Sequence, residues 1–327
     1  MTTDTPIASE EKYLDLPGGR RLAYAEIGNP SSSTLIIFFH GAFGIGTADT
    51  PQKYLVEKDV HFVAPTLAGW GKSSPQSKDI PFHVALASDT TALIDHLRPV
   101  KEGLKIYIAG VSFGTVPAQM LYGASFDVFP SGRYVAGCMV LAPFSPFKLH
   151  KGYIKSMTIS SYIWVGPPSQ FIPFKLLQRL GSVVFKNKMN TPEKAVALVR
   201  QTLFDKMGEE EKAEFAKWRE ETGKVEGQVE KEFGQNMMRS VQESWQGFIE
   251  MADAINGDWG FAPNTLDEEH NARPILLVTS EGDTLTPDAM GKWLAENYKN
   301  GHHKSVNGGH FAPIFHLNEL WQELFEL

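Results

Sequence analysis

Cysteine is almost missing from this chain of 327 residues: Cys138 stands alone. No internal disulfide can form, so the fold rests on its core. The apolar setting of Cys138, Tyr134–Leu141, marks it as a packed residue. Membrane-length hydrophobic runs are also lacking. The uncharged stretch from Ser156 to Phe174 is broken by Pro167, Pro168 and Pro173 and by several hydroxyls, which makes it a poor span. There is no basic run, and 31 Lys and Arg against 38 Asp and Glu give a net charge of −7. That balance argues against nucleic acid as a partner and against attraction to anionic membranes. From Met1 to Lys12 the chain is polar and acidic with no apolar segment, so no secretory signal is expected and the protein reads as cytoplasmic. Internal repeats and low-complexity tracts are absent. With 42% apolar and 21% charged residues, a large core is expected.

The most telling residue present is Ser112, within Gly110-Val111-Ser112-Phe113-Gly114. A serine hydroxyl becomes reactive when rigid backbone aims it at a base. A sharp strand-to-helix turn does this, but it strains the serine and crowds its neighbours. Glycines two residues to either side remove the clashing Cβ atoms. The context fits: the apolar run Lys105–Ala109 precedes, and the helix-compatible Thr115–Tyr122 follows.

Elsewhere, short apolar runs alternate with helix-length segments. Tyr13–Leu16 and Arg21–Ile27, joined by Pro17-Gly18-Gly19, predict a hairpin. Further strands are expected at Thr34–Phe39, His61–Leu67, Lys105–Val111, Tyr134–Ala142, Pro274–Thr279 and around His303–Val306. Helices are expected near Thr50–Lys58 and over Phe82–Leu97, Pro287–Tyr298 and Ala312–Leu327. This β-α rhythm predicts an α/β fold with a mostly parallel, doubly wound sheet. The rhythm breaks between Ala142 and Arg273, where helical and aromatic sequence predicts an inserted helical cap. The division expected is a core of residues 1–143 and 272–327 and a cap of residues 144–271. Within the cap, Asp205 to Phe233 has Glu and Lys at helical spacing and reads as a solvated face.

Partners for Ser112 should lie at the carboxyl ends of neighbouring strands. Of the ten histidines, His310 follows a strand directly, in the flexible Asn307-Gly308-Gly309-His310-Phe311, and is the candidate base. Asp283, in Ser280-Glu281-Gly282-Asp283 after the strand Pro274–Thr279, is the candidate acid that orients it. Glu281 is the second choice, and Asp288 reads as a first-turn helix acid. His40-Gly41-Ala42-Phe43-Gly44 also follows a strand. The N–H groups of Ala42 and Phe113 there form a candidate oxyanion hole, with His40 bracing the loop.

In the order Ser112, Asp283, His310, with the His40-Gly41 turn before them and the late insertion, the chain resembles the α/β-hydrolase superfamily over nearly its whole length. The segment Ala64–Ser73 is similar to that family's P-D-x-R-G-x-G-x-S loop but has Thr66 and Ala68 where Asp and Arg are usual. Val111 and Thr115 also depart from the common His and Gly. Some members place the acid after the strand matching Tyr134–Ala142; here Pro143–Phe147 offers no carboxylate, which favours Asp283. The resemblance implies a serine hydrolase acting through an acyl-enzyme on an ester or lactone, with no metal or cofactor. Thioesters and amides rank lower, and epoxide or haloalkane hydrolysis would need Asp in place of Ser112. An acyltransferase, a lyase, a carbon–carbon hydrolase or a hormone-type receptor could use the same residues. Aromatic residues of the insertion imply an apolar small-molecule substrate, with Phe43, Trp245, Trp259 and Phe261 as candidate pocket walls.

Overall fold

In a computed structural model the protein is described over residues 10–49 and 52–327. Residues 1–9, which include most of the segment read for a secretory signal, lie outside the described residues, as do Thr50 and Pro51, the start of the first expected helix. The strands are β1 (Lys12–Leu16), β2 (Arg20–Gly28), β3 (Thr34–Phe39), β4 (His61–Pro65), β5 (Lys105–Val111), β6 (Val135–Leu141), β7 (Ile275–Ser280) and β8 (Gly301–Val306). They form one sheet in the order β1-β2-β4-β3-β5-β6-β7-β8. β2 is antiparallel to both neighbours, and pairing from β4 to β8 is parallel.

Composition explains the position of each strand. β3, β5, β6 and β7 are nearly continuous apolar runs and take central places, where both faces are covered. β8, Gly-His-His-Lys-Ser-Val, is polar and forms an edge. Helices α1 (Lys53–Glu57), α2 (Phe82–Leu97) and α3 (Thr115–Gly123) connect the first strands. Buried residues gather on both sides of the sheet, as expected of a doubly wound fold. Cys138 lies in β6, wholly buried, and burial pushes its thiol pKa well up.

Between β6 and β7 every regular element is helical. The segment comprises α4 (Ile159–Val165), α5 (Pro168–Phe171), α6 (Leu176–Lys188), α7 (Pro192–Val199), α8 (Glu209–Glu221), α9 (Gln228–Ser240), α10 (Gln246–Asn256) and α11 (Glu268–Asn271), with short single turns between them. After β7 come α12 (Asp288–Asn297), α13 (Ala312–Phe315) and α14 (Leu317–Glu326). The expected C-terminal helix is therefore two helices, broken at His316, where φ −104° and ψ 11° leave the helical region.

The helical segment rejoins the sheet at Arg273, a buried cation that crosslinks three elements. Its guanidinium donates to the carbonyls of Gly132 (3.0 Å), Tyr122 (3.2 Å) and His270 (3.3 Å), and Tyr122 Oη donates back to the Arg273 carbonyl (2.7 Å). Replacing Arg273 with Leu strands those carbonyls in the interior, at about 1–3 kcal/mol for each group left without a partner. Arg273→Leu is expected to lower the urea midpoint strongly with an unchanged m-value. A shift within error would show that solvent satisfies these carbonyls instead.

Candidate active site

β5 ends in a turn that only a particular sequence can make. Ser112 has φ +53°, in the left-handed region that non-glycine residues rarely adopt. The chain then folds so tightly that a Cβ on Gly110 would lie 2.2 Å from the Gly114 carbonyl oxygen, and one on Gly114 2.2 Å from that of Phe39. Both positions must be glycine for β5 to pass into α3 here. Thr115 braces the same turn, which accounts for a side chain where the resemblance suggested Gly. Its hydroxyl donates to the Ser112 carbonyl (2.6 Å) and accepts from the Phe144 N–H (3.1 Å). Gln119 Nε2 donates to the carbonyls of Thr115 (3.0 Å) and Phe144 (2.9 Å), joining the turn to the chain beyond β6.

Residues 27 and 198 positions distant along the chain meet at His310. Its Nδ1 lies 2.7 Å from Asp283 Oδ2, and its Nε2 lies 2.8 Å from Ser112 Oγ. An ionised carboxylate only accepts, so the proton sits on Nδ1 and Nε2 is free to accept from the serine hydroxyl. Asp283 is fully used: Oδ1 accepts from the N–H groups of Leu285 (2.8 Å) and Thr286 (3.0 Å), and Oδ2 also accepts from Thr286 Oγ1 (2.7 Å). Burial pushes the Asp283 pKa up, but the charge of His310 and the bonds from His310 and Thr286 outweigh it and hold the carboxyl below its ordinary value. The other acids lie elsewhere. Glu281 is exposed, and Asp288 is bound to Thr279, Lys292 and His303.

Residues 41–43 run beside the serine, since a Cβ on Gly41 would touch Ser112 Cβ at 3.3 Å. The Phe113 N–H lies in the first turn of the helical chain after β5, where amides have no intrahelical acceptor. His40 braces this loop with both ring nitrogens: Nδ1 donates to the Gly41 carbonyl (2.8 Å) and Nε2 accepts from the Leu67 N–H (3.0 Å). Phe43, at φ +56°, packs against Trp70 and Trp245 and against Phe185 and Phe248. Trp245 is thus beside Phe43.

Trp259 and Phe261 are not. Trp259 is buried with Nε1 donating to the Ala254 carbonyl (3.1 Å). Phe261 covers Gly123, where a Cβ would lie 2.4 Å from its ring. Gly123 ends α3, on the order of 12 Å along the helix from Thr115, which itself lies beyond Ser112. The reason is the Asp258–Gly260 turn, which itself carries Trp259, packs on His83 and leads the chain to Gly123 of α3, where Phe261 is placed.

The sequence also hid what supports His310 from behind. Glu211 on α8 is buried, and its Oε1 accepts from the Gly309 N–H at 2.9 Å. Phe311 packs between Phe204 and Phe233, and Phe215 and Trp218 meet Phe315. Residues 205–233 therefore hold the His310 loop on their inner face and are not simply a solvated surface. An apolar cavity of about 510 Å³ lies behind this loop, and its lining includes Phe311 but not Ser112 or His310.

Burial lowers the His40 pKa to about 4, against the opposing effect of its bond to Gly41. A neutral buried imidazole is disfavoured once the unfolded chain can bind a proton. Below the ordinary His value of about 6.5, the contribution of His40 to stability should therefore fall with pH until about 4 and then level off, by about 3 kcal/mol for this group. Urea unfolding of the native protein and His40→Gln across pH 4 to 7 tests this. The variant should show a shallower slope, and parallel profiles would contradict the assignment.

Residues 36–324 match the family model described as the Alpha/beta hydrolase family. No curated protein matches the chain. Among solved structures, a hydrolase from Pseudomonas aeruginosa is 14% identical, with a TM-score of 0.60 and 97% of each chain covered. An esterase from Exiguobacterium antarcticum is 13% identical, with a TM-score of 0.58 over 97% of this chain and 98% of that one. A bromoperoxidase from Bacillus anthracis is also 13% identical, with a TM-score of 0.60 over 97% and 100%. Identities this low speak for the fold alone. The strand order, the glycine-walled turn after β5 and a family match running from β3 to α14 agree, and the chain belongs to the alpha/beta hydrolase family.

Proposed function

We propose that the protein is a serine hydrolase that cleaves carboxylic esters or lactones of apolar substrates. The observation that carries this reading is the continuous hydrogen-bonded line Ser112 Oγ–His310 Nε2, His310 Nδ1–Asp283 Oδ2, with Ser112 on strained backbone at the end of β5. Ser112 Oγ attacks the carbonyl carbon as its proton passes to His310 Nε2. The carbonyl oxygen takes the negative charge and is met by the N–H groups of Ala42 and Phe113. Collapse expels the alcohol, which leaves with the proton from His310 and an acyl group on Ser112. Water then attacks that ester, giving its proton to His310, and the acid departs as Ser112 regains a hydrogen. Asp283 stays ionised throughout and holds the imidazole in the tautomer that accepts from serine.

The helical residues 144–271 act as a cap in this reading. Two backbone bonds seat them on the loop after β4, Gly71 N–H to the Ser240 carbonyl (2.7 Å) and Gly247 N–H to the Gly69 carbonyl (3.0 Å). Phe43, Phe185, Trp245 and Phe248 meet beside the Gly41–Ala42 loop, which supports an apolar acyl or ring-bearing substrate.

A fluorophosphonate is expected to label Ser112, and Ser112→Ala should lower kcat on an ester or lactone panel by on the order of 10⁴ or more with an unchanged Tm. An adduct on another serine, or one turnover per molecule followed by silence, would refute the reading.

Asp283→Asn should cost roughly 10³–10⁴ in kcat by favouring the wrong imidazole tautomer, while Glu281→Gln should cost little. Equal losses in the two variants would remove Asp283 from the role.

A further inference from the structure

Helix α6 wears its polarity inside out. Gln178 and Gly181 are buried on its inner face, where Gln178 Nε2 donates to the Ser169 carbonyl (3.0 Å). Leu176, Leu180, Val183 and Val184 are instead each more than half exposed. Their spacing makes one continuous apolar stripe along the outside of the helix. Helical geometry puts exposed Arg179 and Lys186 on one flank of the stripe and exposed Lys188 on the other.

The surface continues beyond α6. Helices α4, α5 and α6 all pack on α10 and so form one outer layer. From it project Ile159 (80% exposed), Phe171 (82%) and Phe174 (90%). Phe174 and Lys175 both have left-handed backbone, φ 56° and 53°, so the chain is held in a disfavoured shape with a phenyl ring in water. Exposed apolar surface on this scale marks an interaction face.

Charge narrows the partner. Between Asp127 and Glu193 the chain has no Asp or Glu, yet it bears Arg133, Lys148, Lys151, Lys155, Lys175, Arg179, Lys186 and Lys188. Lys175 is paired with Asp253, Arg133 with Glu269 and Lys148 with Asp258; the other five are exposed. The overall charge of −7 conceals this, because acids crowd α8. A second copy of the same basic face would repel it. A plane of negative headgroups over hydrocarbon matches both the cations and the apolar stripe.

We propose that the α4–α6 face docks on an anionic lipid bilayer, with α6 lying in the interface plane. Phe171, Phe174 and the α6 stripe enter the acyl boundary, while Arg179, Lys186 and Lys188 meet the headgroups. The association is peripheral, since among the described residues no helix is long and apolar enough to cross a membrane. On its inner side the same helix sets Phe185 against Phe43, ring centroids 5.1 Å apart, so the docked lipid would lie one helix away from the candidate site. This inference stands on the surface alone and does not need Ser112 to be a nucleophile.

Co-sedimentation of the full chain with vesicles tests it. Binding is expected to phosphatidylcholine vesicles containing phosphatidylglycerol, falling as salt rises, and not to phosphatidylcholine alone. Lys186→Gln and Lys188→Gln should each weaken it roughly fivefold. The pair Phe171→Ser and Phe174→Ser should weaken it by about tenfold or more, with an unchanged Tm. No binding of the native chain to anionic vesicles at low ionic strength overturns the proposal. Equal binding to both lipids overturns it as well, as does a dimer in light scattering that Phe174→Ser dissociates.

Discussion

The contact between Ser112 Oγ and His310 Nε2 joins residues 198 positions apart, and most of the architecture can be understood as the means of holding it. Neither side chain is placed by local sequence alone. β5 delivers the serine, the loop after β8 delivers the histidine, and two strands, β6 and β7, lie between them in the sheet. The parallel registers of β5 on β6, β6 on β7 and β7 on β8 fix which strand ends are level. A slip of one residue in any of them would turn every side chain of a buried strand to the opposite face, so the apolar faces guard the register.

That contact is also supported from outside the sheet. The loop bearing His310 has two glycines, Gly308 and Gly309, and needs external restraint. Glu211 supplies it at the Gly309 N–H, and the rings of Phe204 and Phe233 supply it around Phe311. The helical segment is thereby tied to the position of the base as well as to the walls beside Phe43. A perturbation in α8 has a short physical route to His310 through one hydrogen bond.

Much of this was legible in the sequence because the signals were backbone-driven. The glycines around Ser112, the apolar runs of β3 and β5–β7, and turn residues at strand ends each have a local cause, and the structure places Ser112, Asp283 and His310 together. Thr286 was harder to see, since a hydroxyl three residues after Asp283 has many common uses. Trp259 and Phe261 misled because position near the end of the insertion says nothing of a turn that redirects the chain. Glu211 was hidden among neighbouring acids: Glu209 and Glu210 have the same composition signal but are exposed, and only tertiary contact separates them. In α6 the apolar spacing does not itself say which side faces the protein.

The lone cysteine has a practical consequence. Cys138 is sealed in β6 between β5 and β7, and burial keeps its thiol protonated. An alkylating reagent attacks thiolate, so this sulfur is chemically silent while the helices covering its face of the sheet stay packed. Cys138 lies in one buried cluster with Tyr122 of α3 and Tyr298 at the end of α12. Its modification rate is consequently a clock for the lifting of those helices from the sheet, built into the native chain without any engineered label.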